Sequence, residues 1–170
     1  MIIIRPEKPE HVQGVRMVEE RAFNRTGEAD LVDCLRARGA VTLSLVAVED
    51  GQVLGHVLFS PVTIGEGPDA LLAQGMGPVA VLPERQNEGI GSRLVRAGLE
   101  ECRQANVPAV VVLGNPKYYM RFGFGPARRF GIRFPDANVP EDAFMVIELH
   151  RGILDGHAGD VIYQPEFMDV

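Results

Sequence analysis

RQNEGIG, residues 85–91, comes just after an apolar run that ends in PVAVLP (78–83) and just before the amphipathic stretch SRLVRAGLEECRQA (92–105). The apolar run is typical of a strand, and the amphipathic stretch is typical of a helix. Three interpretations of the segment between them compete: an ordinary strand-to-helix turn, a nucleotide-binding fingerprint, or a cradle for some other phosphate.

Two nucleotide-binding fingerprints fit this segment poorly. A Walker loop needs a lysine followed by serine or threonine after its last glycine, and the segment has no lysine there. The dinucleotide fingerprint needs G-x-G-x-x-G, whereas the segment's Gly89-Ile90-Gly91 is followed two places on by an arginine. Both interpretations are therefore disfavoured.

A phosphate cradle fits the segment better. The first backbone N–H groups of a helix have no partner within the helix, and the helix dipole places positive charge at the same end. Glycines there let a ligand approach the backbone without a Cβ in the way. The segment can therefore hold an anion without a lysine, even in an acidic chain.

Length and composition predict one globular domain spanning residues 1–170. Apolar residues make up 46% of the chain, and 17 basic against 23 acidic residues give a net charge of −6. This balance argues against nucleic acid as a partner.

Cys34 and Cys102 have no metal-ligand spacing, so we expect two buried free thiols and no metal. No apolar run approaches a membrane span or a signal peptide, and we expect a cytoplasmic protein.

Hydrophobic patterning predicts a mixed α/β layered domain. The predicted strands lie at residues 2–5, at 44–64 in two parts around a turn at Glu49-Asp50-Gly51, and at 71–83, 109–113, 144–149 and 159–167, the last as an edge. The run at 109–113 is continuously apolar, as in a fully buried strand. The predicted helices lie at 9–23, 27–39, 92–106 and 116–123, and the inner face of the third is formed by Leu94, Val95, Leu99 and Cys102. Gly75-Met76-Gly77-Pro78 interrupts one strand, because glycine weakens pairing and proline lacks an N–H, so we expect a bulge or an edge there.

Two motifs carry a resemblance to a known family. GPVAVLPERQNEGIGSRLV (77–95) resembles motif A of the GNAT superfamily of acyl-CoA-dependent N-acyltransferases, whose Q/R-x-x-G-x-G/A core is met by Gln86, Gly89 and Gly91. KYYMRFGF (117–124) resembles motif B, a tyrosine followed at +4 and +5 by Gly-Phe. LGNPKYYMRFGF (113–124), with FMVIEL (144–149) and the G-x-V-x-Y tail (159–163), resembles the bacterial YhbS-like branch of predicted N-acetyltransferases. The resemblance runs over nearly the whole chain.

The resemblance implies a fold and a cofactor. The implied fold is the GNAT fold, with a mixed, mainly antiparallel central sheet that is splayed in the middle and helices on both faces. The implied cosubstrate is acetyl-CoA, whose pantetheine arm would lie in the splay near Gly75 to Pro78. Implied contacts to the cofactor come from the backbone of Val79, Ala80 and Val81, from the diphosphate loop Gln86, Asn87, Glu88, Gly89, Ile90, Gly91 and Ser92, and from Asn115 and Tyr118.

Two features depart from the family pattern. Glu88 lies inside the diphosphate loop, where a neutral or basic residue is more usual; its side chain costs little if it points outward and weakens CoA binding if it points inward. Tyr118 and Tyr119 are adjacent, and only Tyr119 has the Gly-Phe spacing. Which of the two faces the CoA sulfur stays open, with Tyr119 preferred.

N-acetylation requires an acceptor amine that has lost its proton and a donor beside the leaving thiolate. Tyrosine is protonated at neutral pH, and we assign Tyr119 as the general acid; the alternative is a packing tyrosine. Glu28 is the candidate general base, although a helix-capping acid is the simpler interpretation. His56, within a strand, is more often structural than catalytic. Water-relayed proton loss is equally open.

The resulting hypothesis is an N-acetyltransferase that moves an acetyl group to a primary amine by direct attack in a ternary complex. Its rival is a catalytically silent acyl-CoA-binding sensor or partner module.

A basic run follows motif B, at Arg121, Arg128, Arg129 and Arg133. It forms either a solvated face or a contact to the CoA 3′-phosphate or an acidic acceptor. The loops that would choose the acceptor, around 24–40, 64–70 and 134–142, show no motif, so a small-molecule amine and a protein amine both remain open. The last strand could pair across a homodimer.

Overall fold

The computed structural model describes all residues from 1 to 170. By its internal contacts the chain divides into two compact units, described separately below. The first unit comprises Met1–Ser60, Gly77–Gly98 and Pro165–Val170, and the second comprises Pro61–Met76 and Leu99–Gln164. The single domain expected from the length of the chain stays a prediction.

Four α-helices and nine strands make up the regular structure. The helices are α1 (Val12–Phe23), α2 (Gly27–Ala37), α3 (Ile90–Gln104) and the one-turn α4 (Pro116–Tyr119). The strands are β1 (Ile3–Pro6), β2 (Leu43–Glu49), β3 (Gln52–Ile64), β4 (Leu71–Val81), β5 (Ala109–Leu113), β6 (Gly125–Pro126), β7 (Ile132–Arg133), β8 (Phe144–Glu148) and β9 (Gly159–Ile162). No helix combines the length and the apolar character that a membrane crossing requires.

In the first unit, β1, β2, β3 and the last part of β4 are neighbours in that order. The β2–β3 hairpin turns at Asp50 and Gly51, which both have positive φ, 50° and 80°. These are the dihedrals that an Asp-Gly type I′ turn requires, so the predicted hairpin is confirmed.

Helices lie on both faces of the first unit's strands, as predicted. A Cβ on Gly55 would lie 3.0 Å from Leu94 Cδ1, so the position faces α3. The side chain of His56, the next residue, bonds Glu19 of α1. Because successive side chains of a strand point to opposite faces, α1 and α3 cover opposite sides.

The second unit contains the parallel pairing of β4 with β5, which joins Gln74 to Val110 and Gly75 to Val111. β5 pairs antiparallel with β8, and β8 with β6. The mixed, mainly antiparallel sheet is thus confirmed. The register between β4 and β5 ends at Gly75, where the resemblance implied that the splay begins, and β4 itself runs on to Val81.

Three expectations at the periphery were wrong. Cys34 is exposed, because it lies beside the buried face of α2 and not on it, whereas Cys102 is buried and burial raises its pKa to about 11. Leu113, at the end of the otherwise buried β5, is exposed. β9 is not an edge, since it pairs with β3 through Thr63 and Ile64 and with β7 on its other side. The two-residue strands β6 and β7 are too short to leave a periodic signal.

Candidate functional site

The turn between β4 and α3 in the first unit has an irregular backbone. A 3₁₀ turn at Pro83–Arg85 leads into an extended Gln86, and then Asn87 and Gly89 adopt positive φ, 64° and 82°. Asparagine and glycine are the residues that tolerate this region. The side chain of Ile90 is fully buried and anchors the start of α3, so only its backbone is available to a ligand.

This turn presents a row of unbonded amides. The first bond of α3 runs from the Arg93 N–H to the Gly89 carbonyl, at 3.1 Å. The N–H groups of residues 87–91 donate to no acceptor of the protein. Several free donors at the positive end of a 15-residue helix are the arrangement that favours an anion.

Glu88 does not oppose an anion in this loop. Its carboxylate accepts from Arg85 Nε at 2.9 Å and 3.2 Å, and it is solvent-exposed. Arg85 Nη1 also donates to Glu49 at 2.9 Å, and this bond lowers the pKa of Glu49. The Glu88 side chain therefore points outward to the Arg85 guanidinium, which is the orientation expected to cost little in CoA affinity.

Gln86 ties the loop to the end of β4. Its side-chain amide donates to the Val81 carbonyl at 3.1 Å. Ala80 is buried, and its carbonyl lies 3.1 Å from a Cβ built on Gly55, while Val79 and Val81 are half-buried. The carbonyls of Ala80 and Val81 thus already face protein groups.

In the second unit, Asn115 caps α4. Its side-chain oxygen accepts from the Lys117 N–H at 3.0 Å, and its carbonyl accepts from the N–H groups of Tyr118 and Tyr119 at 3.2 Å. Asn115 is exposed. The cap fixes where α4 begins and, with it, the direction of the two tyrosines that follow.

Tyr119 lies directly on the backbone of Gly114. A Cβ at position 114 would stand 2.6 Å from Tyr119 Cε2. The ring also packs edge-on against Tyr118 and Phe124, with centroids 5.0 Å and 5.8 Å away. Burial, with a smaller effect from Tyr118, raises the Tyr119 pKa to about 12, so the hydroxyl stays protonated at neutral pH.

Tyr118 has a different environment from its neighbour. The Arg121 guanidinium stands over its ring, 4.6 Å from the centroid, and the Tyr118 ring also packs on Phe122. Tyr118 is therefore held by a cation–π contact at the surface of α4, whereas Tyr119 is held by the backbone.

Glu28, in the first turn of α2, is buried and paired. Arg25 Nε lies 2.7 Å and 3.0 Å from its two carboxylate oxygens, and a second guanidinium nitrogen also contacts it. The side chain of Arg25 is mostly exposed. Glu28 is thus reached from solvent through its arginine partner.

A buried polar chain in the first unit was missed by the sequence analysis. Glu19 Oε1 lies 2.6 Å from His56 Nδ1, and His56 Nε2 lies 2.8 Å from Ser44 Oγ. Glu19 and His56 are fully buried. His56 is thus a satisfied structural histidine, as expected. Glu19 does leave a signal, because it follows Val15 and Val18 at the i+4 position of the apolar stripe, where a carboxylate is out of place.

The basic run after α4 is largely neutralised. Arg128 pairs with Asp142 at 2.9 Å, and Arg133 pairs with Asp160 at 3.0 Å. Arg121 packs on Tyr118. The structure holds no group of three or more His, Cys, Asp or Glu side chains with the spacing of a metal site.

Comparison with known proteins gives the same fold and the same kind of enzyme. A family model described as an acetyltransferase (GNAT) domain matches residues 3–127. The chain is 40% identical to the uncharacterized N-acetyltransferase YhbS of Escherichia coli K12 over 98% of both chains. A crystal structure of Escherichia coli YhbS in complex with CoA matches 98% of this chain and 92% of that one, with a TM-score of 0.91 and 38% identity.

A second solved structure extends the comparison. A GNAT family acetyltransferase from Brucella melitensis, in complex with acetyl-CoA, is 42% identical over 98% of both chains, with a TM-score of 0.79. The two motifs, the β4–β5 pairing that ends at Gly75 and the free amides before α3 thus occur together with a family match over most of the chain. The chain belongs to the GNAT family of acetyltransferases.

Proposed function

We propose that the protein transfers an acetyl group from acetyl-CoA to a primary amine, by direct attack of the amine in a ternary complex. The observation that carries the proposal is the row of unbonded amides at residues 87–91, at the positive end of α3. It is supported by two relatives, the YhbS and Brucella melitensis enzymes, whose solved structures contain CoA and acetyl-CoA.

The proposed cofactor site follows from this cradle. The loop from Gln86 to Ser92 would hold the diphosphate through its unbonded amides at residues 87–91. The backbone of β4 from Val79 to Val81, beyond its pairing with β5, would hold the pantetheine arm. Gln86 would then have to release the Val81 carbonyl. Asn115 and Tyr118 are further proposed contacts. Bound acetyl-CoA supplies the activated acyl thioester.

Tyr119 is the proposed general acid. Its raised pKa keeps the hydroxyl protonated, and Gly114 and the neighbouring rings fix its position, so it can donate a proton without reorganising. Tyr118, packed under Arg121, is the weaker candidate for this role.

Glu28 remains the proposed general base. The Arg25 guanidinium covers both of its oxygens, so an acceptor amine reaches Glu28 only by displacing Arg25. Because the arginine side chain is mostly exposed, this displacement requires no rearrangement of the core. Water-relayed proton loss is the alternative.

The test has two measurements. Calorimetry with CoA measures the cradle, and release of free thiol from acetyl-CoA over a panel of primary amines measures transfer. Binding together with amine-dependent thiol release supports the proposal; absence of binding at millimolar CoA overturns it. β4 carries no Asp or Glu, an observation that favours a silent acyl-CoA-binding module. Binding with no thiol release on any amine would support that second candidate.

A further inference from the structure

The second unit contains a cavity of about 410 Å³ that the proposed chemistry does not use. This volume lies within the range of small-molecule sites, about 300–1,000 Å³. Its floor is formed by the buried side chains of Ile132 and Phe144 and the half-buried side chains of Phe134 and Val139. Proline and alanine residues of the 135–140 loop close the sides. The cavity can therefore enclose an apolar group of moderate size.

A ladder of aromatic rings leads from this cavity to the end of the β4–β5 pairing. Gly75 is the last residue of β4 in register with β5, and a Cβ there would stand 2.9 Å from Tyr163 Cε1. Tyr163 packs edge-on against Phe134 with centroids 5.7 Å apart, and Phe134 packs on Phe144 at 5.4 Å. One ring thus separates the cavity wall from the point where the two strands part.

The charges at the rim favour a cation. The two arginines of the lining, Arg128 and Arg133, pair with Asp142 and Asp160. Glu141 has no ion-pair partner, and Asp136 has only the N–H of Asn138 to satisfy its carboxylate. The unpaired charge around the apolar floor is therefore negative.

We propose that this cavity binds the acceptor, and that the acceptor is a cationic primary amine with an aromatic or branched apolar body. The inference rests on the proposed acetyl transfer and specifies its substrate class. The floor offers no polar group to a sugar or a polyamine backbone. The rim carboxylates disfavour an acceptor that carries its own carboxylate, because the arginines that could receive one are occupied.

Matched pairs of acceptors test the class. Phenethylamine and isoamylamine are compared with phenylalanine and putrescine as acceptors, by thiol release from acetyl-CoA. Phenethylamine should have a kcat/KM at least about tenfold above phenylalanine and putrescine, the discrimination that one apolar wall provides. Equal or better transfer to phenylalanine or putrescine overturns the inference and leaves the proposed function intact.

Variants of the cavity test its location. Val139→Trp fills the cavity without removing a core ring and should raise the KM for phenethylamine about tenfold or more, with the KM for acetyl-CoA unchanged. Glu141→Gln should lower the ratio of the kcat/KM for phenethylamine to the kcat/KM for phenylalanine. Glu101→Gln removes an equally exposed charge on α3 and should change neither value. Unchanged amine KM values in both cavity variants would overturn the assignment.

A binding measurement separates this inference from catalysis. Calorimetry of phenethylamine with the CoA-saturated protein should detect association that Val139→Trp weakens and Glu101→Gln does not. If CoA binds and no amine is acetylated, this association still supports the cavity, while the proposed transfer fails. If CoA binds and phenethylamine does not associate with the wild-type protein, the cavity assignment fails.

Discussion

His56 Nδ1 lies 2.6 Å from Glu19 Oε1, and both side chains are fully buried. This bond joins α1 to β3 in the first unit, and Ser44 extends it by a further hydrogen bond. The second Glu19 oxygen has no partner. Removing one member of a buried ionisable pair costs about 3–5 kcal/mol, so His56→Ala should lower the free energy of unfolding by that order.

Stability should depend on pH through Glu19. Burial raises its pKa above the ordinary 4.5, opposed by the bond to His56, so the folded protein holds this proton more tightly than the unfolded chain. The contribution of Glu19 to stability is then full below about pH 4.5 and is lost as pH rises through the raised pKa. The free energy of unfolding of the wild type minus that of Glu19→Gln, from urea unfolding at several pH values, should fall over this range. Glu20→Gln, at a half-buried neighbour, should show no such fall; a difference that rises with pH contradicts the prediction.

CoA affinity should depend on Gly89 and not on a conformationally matched glycine. Gly89 and Gly156 have φ of 82° and 81°, and no atom lies within 4 Å of a Cβ added at either position. Alanine at each site should cost about 1–2 kcal/mol of stability because of the left-handed backbone. Only Gly89→Ala puts a methyl group in the proposed cradle, so its Kd for CoA by calorimetry should rise about tenfold or more. Equal Kd values for the two variants would show that CoA does not bind at Gly89.

Tyr119→Phe should reduce kcat about 100-fold or more, the size of a general-acid contribution, with a small change in the KM for acetyl-CoA. Because the Tyr119 pKa is about 12, wild-type kcat should not decline through pH 10 for loss of this proton. Tyr118→Phe is the matched control and should keep most of the wild-type rate. The reverse order of the two variants would transfer the role to Tyr118.

Gly114→Ala should impair the reaction through Tyr119. The new methyl group would meet the Tyr119 ring at 2.6 Å and displace it, so kcat should fall. At Gly125 the nearest atom to an added Cβ is 3.8 Å away, and Gly125→Ala should be close to neutral. In a double-mutant cycle Gly114→Ala should add little to Tyr119→Phe. Additive losses in kcat would show that Gly114 acts by another route.

Glu28→Gln tests the base. The variant should lower kcat, because the new amide cannot take a proton from the acceptor amine. Asp33→Asn, on the same helix and also paired with arginine, is the control for loss of a charge. A wild-type kcat in Glu28→Gln would leave proton removal to water.

Local patterning predicted most of the fold. The Asp50-Gly51 hairpin and the inner face of α3, which buries Leu94, Val95, Leu99 and Cys102, were confirmed because a turn type or a helical period involves only neighbouring residues. The expected burial of Cys34 and Leu113 was wrong, because burial at the side of a helix or at the end of a strand depends on what packs there. The expectation that β9 is an edge strand was wrong for the same reason, since it pairs with both β3 and β7.

The proposed anion cradle follows from residue types and spacing alone, because unpaired amides at a helix start are a property of consecutive backbone. Only the tertiary structure decided which way the Glu88 side chain points. It also placed the Tyr119 ring on Gly114 and the Tyr118 ring under the Arg121 guanidinium. It alone showed that a carboxylate in α1 bonds a histidine in β3. Each of these depends on side-chain contacts, and the pairing of Glu19 with His56 joins residues far apart in the chain. Such a contact is set by the packing of whole elements, which leaves little or no trace in local sequence.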